Sequence, residues 1–193
     1  MIEKSLVLLK PDAIQRNLIG EILTRFERTG LKIIAMKMVM PTEEISRTHY
    51  YKDDAWFEMV GKRQKELFLS KGIQVDKTEL ELGKVIQDQL VEYLTLSPII
   101  AIVFEGHNAV LNIRKIVGAT NPYDAVPGTI RADYSIETYA LADTSKRSVQ
   151  NLIHSSGTVE EANTEIKIWF TKDEIHSWKR LDEVLLYRNI ENK

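Results

Sequence analysis

The spacing of apolar residues changes several times along the chain, and each change predicts an element. Ser5 to Leu9 is a short run rich in Val and Leu, as a buried strand requires, and Lys10-Pro11-Asp12 ends it. Leu18, Ile19, Ile22, Leu23 and Phe26 then fall at helical spacing, with Gly30 as a stop signal. Leu31 to Met40 predicts a second strand, in which Ile33, Ala35, Lys37 and Val39 alternate with Ile34, Met36, Met38 and Met40. Pro41-Thr42 closes it. Glu43 and Glu44 suit the first turn of a helix, where acidic groups meet the positive end of the helix dipole. From about Met59 to Tyr93 the chain reads as helical and heavily charged. Lys62 to Lys71 makes one segment, ended by Gly72. Asp76 or Thr78 could cap a second, which carries Leu82, Val85, Ile86, Leu90, Tyr93 and Leu94 on one stripe. The pair reads as an amphipathic hairpin with a solvated outer face.

Ile99 to Phe104 is continuous and β-branched, which predicts a central strand covered on both faces. Asn108 to Val117 reads as a short helix stopped by Gly118, and Ala119 to Asp133 as a loop bearing Pro and Gly. Ser135 to Gln150 is polar and has no clear period. Leu152-Ile153 begins a last strand, and Val159 to Phe170 is a helix with Ala162, Ile166 and Trp169 on one face. Strands that alternate with helices in this order suit a small α/β protein, an α+β sandwich. The split βαββαβ layout called ferredoxin-like is one candidate.

Composition narrows the chemistry. A chain of 193 residues fits one domain, with room for an enlarged insertion. The formal net charge of -2 gives no global basic field for a nucleic acid or an acidic membrane, although a local cluster of cations stays open. With no cysteine, disulfides, thiolate nucleophiles and cysteine-ligated zinc are excluded, which suits a reducing compartment. No apolar run approaches the ~18 residues of a membrane span. A cytoplasmic protein is the default expectation.

Two phosphate-binding signatures are missing, the GxxxxGK[ST] loop and the GxGxxG turn, so any nucleotide would have to be held by side chains. The histidines His49, His107, His154 and His176 lie far apart in sequence and suggest no metal cluster. His154 stands out. It ends a predicted strand just before a helix, where a side chain can emerge from a rigid scaffold. Ser156 could bond it, and Glu165 on the next helix could face back toward it. An imidazole held by a carboxylate is a competent nucleophile or base. A histidine near a strand end is, taken alone, as well explained by packing.

Asn151-Leu152-Ile153-His154-Ser155-Ser156, followed by Glu161-Ala162, Glu165-Ile166 and Trp169-Phe170, resembles the active-site signature of the nucleoside diphosphate kinase family. Lys10-Pro11-Asp12 with Arg16, Val103-Phe104-Glu105-Gly106, Arg114 to Gly118 with Thr120-Asn121-Pro122, and Pro127 to Asp133 resemble the family's other blocks, in the same order. The resemblance implies a ferredoxin-like core with a four-stranded antiparallel sheet, surrounding helices and a helical insertion. It implies phosphoryl transfer from a nucleoside triphosphate such as ATP to a nucleoside diphosphate such as GDP. The mechanism would be ping-pong through phospho-His154, with broad base specificity. Lys10, Arg114, Thr120 and Arg131 would bind phosphates. Asn151, with Lys10, would reach the ribose 3′-hydroxyl, and Tyr50 would lie near the transferred phosphate. Glu165 and Ser156 would orient the imidazole. Mg2+ would be bound mainly through the phosphates, with few or no protein ligands. The family also implies a homo-oligomer, hexamer or tetramer, with no membrane and no stable nucleic-acid partner.

The sequence departs from the family's short form in three places. No arginine follows Tyr50 until Arg63, so Lys62 or Arg63 would replace a phosphate-binding cation, and Trp56 or Phe57 would supply the stacking face for the base. Two insertions enlarge the single domain 1–193, a helical one at about 60–89 and a shorter one at about 135–150, and the first could act as a lid. Gly157 stands where many members have aspartate. Two other readings compete. A non-catalytic nucleotide-binding relative is disfavoured by the intact His154, Lys10, Arg114, Arg131 and Asn151 set. A ferredoxin-like nucleic-acid module is disfavoured by the charge and by strands poor in aromatics.

Overall fold

The computed structural model describes residues 2–51, 53–70 and 72–188. Lys52, in the stretch after Tyr50, and Lys71, the expected end of the first insertion helix, lie outside the described residues. The strands are β1 (Ile2–Leu9), β2 (Lys32–Val39), β3 (Ile99–His107) and β4 (Ile153–Ser155), in the order β2-β3-β1-β4. Every neighbouring pair is antiparallel. With helices between β1 and β2 and between β3 and β4, this is the α+β ferredoxin-like arrangement.

Both faces of the sheet are covered, which explains the unbroken apolar runs of β1 and β3. Val7 and Leu9 of β1, with Ile100, Ile102 and Phe104 of β3, pack against α2 (Ile19–Glu27), α6 (Ala109–Val117) and α7 (Ile130–Tyr134). Leu6, Leu8, Ala101 and Val103 point the other way, onto Leu94 and onto Ile166 and Trp169 of α9 (Val159–Trp169). The alternation read along β2 is broken by a register shift between Ile33 and Ala35. Ile33 packs with the first cluster, while Ile34 and Ala35 both join the second. Beyond the shift, Met36 and Met38 of this edge strand are exposed, as is Met40 just after it. Residues after α9 run beside it: His176 donates its backbone N–H to Ile34 O, and Trp178 Nε1 donates to Ile33 O.

Between β2 and β3 lie α3 (Glu43–His49), α4 (Asp54–Ser70) and α5 (Glu79–Leu94). Thr42 caps α3 and Thr78 caps α5, the latter with a reciprocal capping box to Glu81. The expected hairpin therefore forms. Its first helix starts at Asp54 rather than near Met59 or Lys62, and Asp53 Oδ1 accepts the Trp56 N–H at its beginning. Short helices also occupy stretches with no clear period. These are α1 (Pro11–Gln15), α7, and α8 (Tyr139–Thr144), which Thr138 caps inside the second insertion. Among the described residues no helix is long and apolar enough to cross a membrane.

Candidate active site

The end of β1 and the turn before β4 fix the floor of the site. Lys10 follows β1 directly, and its N–H bonds to Leu152 O at 2.8 Å. Leu152 is fully buried and has φ +68°, a region that residues with a Cβ seldom adopt. Ile153 N bonds back to Asn151 O at 2.8 Å, closing a tight three-residue turn around it. Asp12 holds this turn by accepting the Leu152 N–H at 3.0 Å, and the Tyr93 hydroxyl donates to the same carboxylate. The strained turn delivers Asn151 and His154 to one side of the sheet.

Asn151 bridges the floor. Its Oδ1 accepts from Lys10 Nζ at 2.8 Å, and its Nδ2 donates to Thr120 O at 2.8 Å. Arg131, on α7, is buried and donates to three backbone carbonyls: Asn151 O at 3.1 Å, Gly118 O at 3.0 Å and Ile153 O at 2.6 Å. These partners carry no charge, so burial pulls its pKa down to about 10. Lys10 shows the same effect more strongly. Burial, and then the positive charge of Arg131, bring it to about 7 against the pull of Asp12. Buried cations whose hydrogen bonds go to neutral oxygens are poised for an anionic ligand.

His154 pairs with Leu8 across the β4–β1 ladder, and its side chain is 20% exposed. Its Nε2 lies 2.9 Å from Glu165 Oε1, and Ser156 Oγ donates to Glu165 Oε2 at 2.6 Å. Ser156 is itself pinned, since its Oγ accepts from Leu6 N at 3.2 Å. A carboxylate accepts only, so the proton of a neutral imidazole sits on Nε2 and the lone pair is on Nδ1. His49, His154 and Glu165 bring three atoms of metal-ligand type within 4.8 Å of one another. The hydrogen bonds from His154 Nε2 to Glu165 and from Trp169 Nε1 to His49 Nδ1 already engage those atoms, so the cluster is built to hold protons.

Above this floor opens a cleft of about 650 Å³. It is lined by Lys10, Tyr50, Arg114, Thr120, Arg131, Asn151 and His154, so these sequence-chosen residues come together. Burial raises the Tyr50 hydroxyl's pKa, with the charge of Glu165 adding to the effect, and keeps it a neutral phenol. Ser156 and Glu165 lie behind His154. Trp56 lines the cleft, but Phe57 does not. It is buried, and its backbone lies against Gly83 of α5, because consecutive residues of α4 point in different directions. The stacking role suggested for Phe57 is therefore withdrawn. Arg63 reaches the cleft, and Lys62 is not among the lining residues. Gly157 N donates to Glu161 Oε2 at 2.7 Å, and a Cβ at Gly157 would lie 2.6 Å from that oxygen. Glu161 thus brings a carboxylate to the place where many family members carry aspartate.

Sequence reasoning missed the second insertion's share. Tyr139, Asp143, Arg147 and Ser148 also line the cleft. Arg147 is fixed by Glu137 through bonds of 2.7 and 2.8 Å. A lone arginine in a polar stretch without period carries no local signal. Only the fold of α8 brings it to the cleft.

A carboxylate-bonded histidine in a cleft lined by Lys10, Arg114 and Arg131 suits phosphoryl transfer, which asks a protein mainly to position groups and offset charge. Similarity to known proteins gives the family. The family model for nucleoside diphosphate kinase matches residues 3–59 and 57–175. The chain is 41% identical over 179 residues to the nucleoside diphosphate kinase of Pyrobaculum aerophilum, covering 90% of this chain and 98% of that one. It is 38% identical over 187 residues to that of Methanobrevibacter smithii, covering 97% and 99%. The crystal structure of the Pyrobaculum aerophilum enzyme superposes with a TM-score of 0.88 at 39% identity, covering 92% of this chain and all of that one. A transition-state mimic of the Borrelia burgdorferi enzyme with bound vanadate and ADP gives 0.77 at 32% identity, covering 95% and 96%. The chain belongs to the nucleoside diphosphate kinase family, and its activity is phosphoryl transfer between nucleoside tri- and diphosphates.

Proposed function

We propose that the transfer runs through His154 in two half-reactions. The observation that carries this is the 2.9 Å bond from His154 Nε2 to Glu165, at the floor of a cleft that also holds Lys10, Arg114 and Arg131. His154 Nδ1 attacks the γ-phosphorus, an N–P bond forms, and the bond from phosphorus to the β,γ-bridging oxygen breaks. The electron pair leaves on the diphosphate, where Lys10, Arg114 and Arg131 offset the charge. The ring keeps its Nε2 proton and becomes cationic, and Glu165 stabilises that cation. The diphosphate leaves, a second one enters the same cleft, and the steps reverse. Asn151 and Lys10, bonded to each other at 2.8 Å, would exchange that contact for the ribose 3′-hydroxyl. Thr120 would add a phosphate contact and Tyr50 would flank the transferred group. Trp56 would stack on the base, a contact indifferent to base identity, and Arg63 would take the place of the short form's arginine.

The family works with Mg2+ and nucleotide together. The lining is rich in cations, and its carboxylate Asp143 accepts from Gln64 at 3.2 Å, so a metal would ride on phosphate oxygens. Bound there it would neutralise charge on the β- and γ-phosphates. The two insertions belong to one domain with the core, and both line the cleft. The exposed Met36 and Met38 of an edge strand, with Met40 just beyond it, support a homo-oligomer, hexamer or tetramer. A chain free of cysteine accords with work in the cytoplasm.

Labelled ATP with magnesium, chased with GDP, tests the mechanism on wild type and His154→Ala. Wild type should become acid-labile labelled and pass the label to GDP. The variant should do neither, and a labelled His154→Ala chain would overturn the assignment of the nucleophile.

A further inference from the structure

Two imidazoles face one carboxylate oxygen. Glu165 Oε1 lies 2.9 Å from His154 Nε2 and 3.9 Å from His49 Nδ1. The rings of His49 and His154 stand edge to face at 4.5 Å between centroids. The proposed reaction builds positive charge on His154 and needs the whole of Glu165 to balance it. A protonated His49 would compete for that oxygen and place a like charge beside the reacting ring.

We propose that the Trp169 indole holds His49 as a neutral imidazole and so reserves Glu165 for His154, which makes Trp169 a positioning residue. Trp169 Nε1 approaches His49 Nδ1 at 3.3 Å, in a buried position. An indole N–H donates and never accepts, so His49 Nδ1 presents its lone pair and the ring proton resides on Nε2. A proton arriving at Nδ1 would point at the indole N–H, and the bond would be replaced by an opposed pair of donors. Nδ1 is also the atom that faces Glu165. The side chain of His49 is fully buried, so no water shell is available to support a charge there.

The titratable groups around His49 fit this account. Glu165 approaches from α9, His154 from β4, and Tyr50 lies next to His49 with ring centroids 4.8 Å apart. On the side of α5, Arg47 and Asp88 pair with each other at an exposed position. Glu165 is thus the group that would draw a proton onto His49, and Trp169 stands against it.

The inference rests on the proposed nucleophile, and one of its tests does not. In protein carrying 15N-labelled histidine, His49 should show the neutral Nε2–H pattern from about pH 8 down to about pH 5, more than a unit below an ordinary histidine. An imidazolium or Nδ1–H pattern in that range overturns the proposal, whatever His154 does. The second test is the pH profile of His154 phosphorylation by ATP. In Trp169→Phe the acid limb should move up by about one pH unit, a tenfold change in the proton dissociation constant. Adding His49→Gln to that variant should return the limb to its wild-type position. An unmoved limb in Trp169→Phe, or one that His49→Gln fails to return, overturns the proposal. A variant that does not fold leaves the decision to the tautomer measurement on wild type.

Discussion

Gln64 Nε2 donates to Asp143 Oδ1 at 3.2 Å, and this bond joins two insertions that lie 79 residues apart in sequence. Gln64 stands on α4 and Asp143 on α8, and both line the cleft. The insertions therefore meet at the cleft. We expect Gln64→Ala and Asp143→Ala to act alike and mainly on binding. Loss of one part-exposed hydrogen bond, about 1 kcal/mol, should raise KM about fivefold with little change in kcat. Steady-state kinetics with a range of nucleotides checks this. Deleting about 60–89 should weaken every nucleotide, and unchanged affinity would remove the lid role from the hairpin.

The bond between His154 and Glu165 predicts a different signature. Glu165→Gln keeps the shape and loses the charge that balances the phosphorylated ring. A charged hydrogen bond is worth roughly 1.5–3 kcal/mol, so the phosphorylation rate should fall about tenfold to hundredfold while nucleotide KM changes little. Ser156→Ala should have a smaller effect of the same kind, because Ser156 Oγ positions Glu165 without touching His154. Rapid-quench measurement of the first half-reaction separates this from product release.

Lys10 links binding to pH. Burial, reinforced by Arg131, brings it to about 7. A phosphate beside it favours the charged form and raises that value. Nucleotide binding should then take up protons between pH 7 and the higher value. Affinity should fall as pH rises through that window, and should level off below pH 7, where Lys10 is already charged. Calorimetric titration at pH 8 in buffers of different ionisation enthalpy measures the proton uptake directly. Lys10→Arg, which stays charged at all these values, should abolish it.

Much of the site was legible because it is made of contiguous motifs on regular elements. His154 sits on β4, Ser156 just beyond its end and Glu165 on α9, where a strand end and a helical spacing set their directions. Lys10 and Asn151 lie on no regular element and were legible only through the resemblance to the family's motifs. The missing parts depend on contacts between distant segments. Phe57 and Trp56 are equivalent as apolar aromatics in the sequence, and only the packing of α4 on α5 turns one into the cleft and the other away. Arg147 needs α8 and Glu137 to reach the site. The register shift in β2 has no side-chain signature, yet it decides that Ile34 and Ala35 share a face. Helices α1 and α8 are too short to show a period.

Two glycines place the first insertion against itself, and a third serves as their control. A Cβ at Gly83 on α5 would lie 2.2 Å from Phe57 O, and one at Gly61 on α4 would lie 1.7 Å from Glu79 O. The two helix backbones touch at these points. Alanine normally favours a helix over glycine by about 1 kcal/mol, but here the neighbour is rigid backbone, and overpacking costs about 1–3 kcal/mol. The clash should win. Gly83→Ala should lower Tm, and it should weaken nucleotide binding as well, because shifting α5 against α4 displaces Trp56 and Arg63 at the cleft. At Gly20 on α2 a Cβ would meet nothing within 4 Å. Gly20→Ala should therefore raise Tm by a few degrees, the shift expected of about 1 kcal/mol in a chain of this size, and leave the kinetics alone. Thermal melts with and without ADP, run on both variants, check the pair. A stabilised Gly83→Ala would mean that the helices of the hairpin stand further apart than their backbones do in this structure.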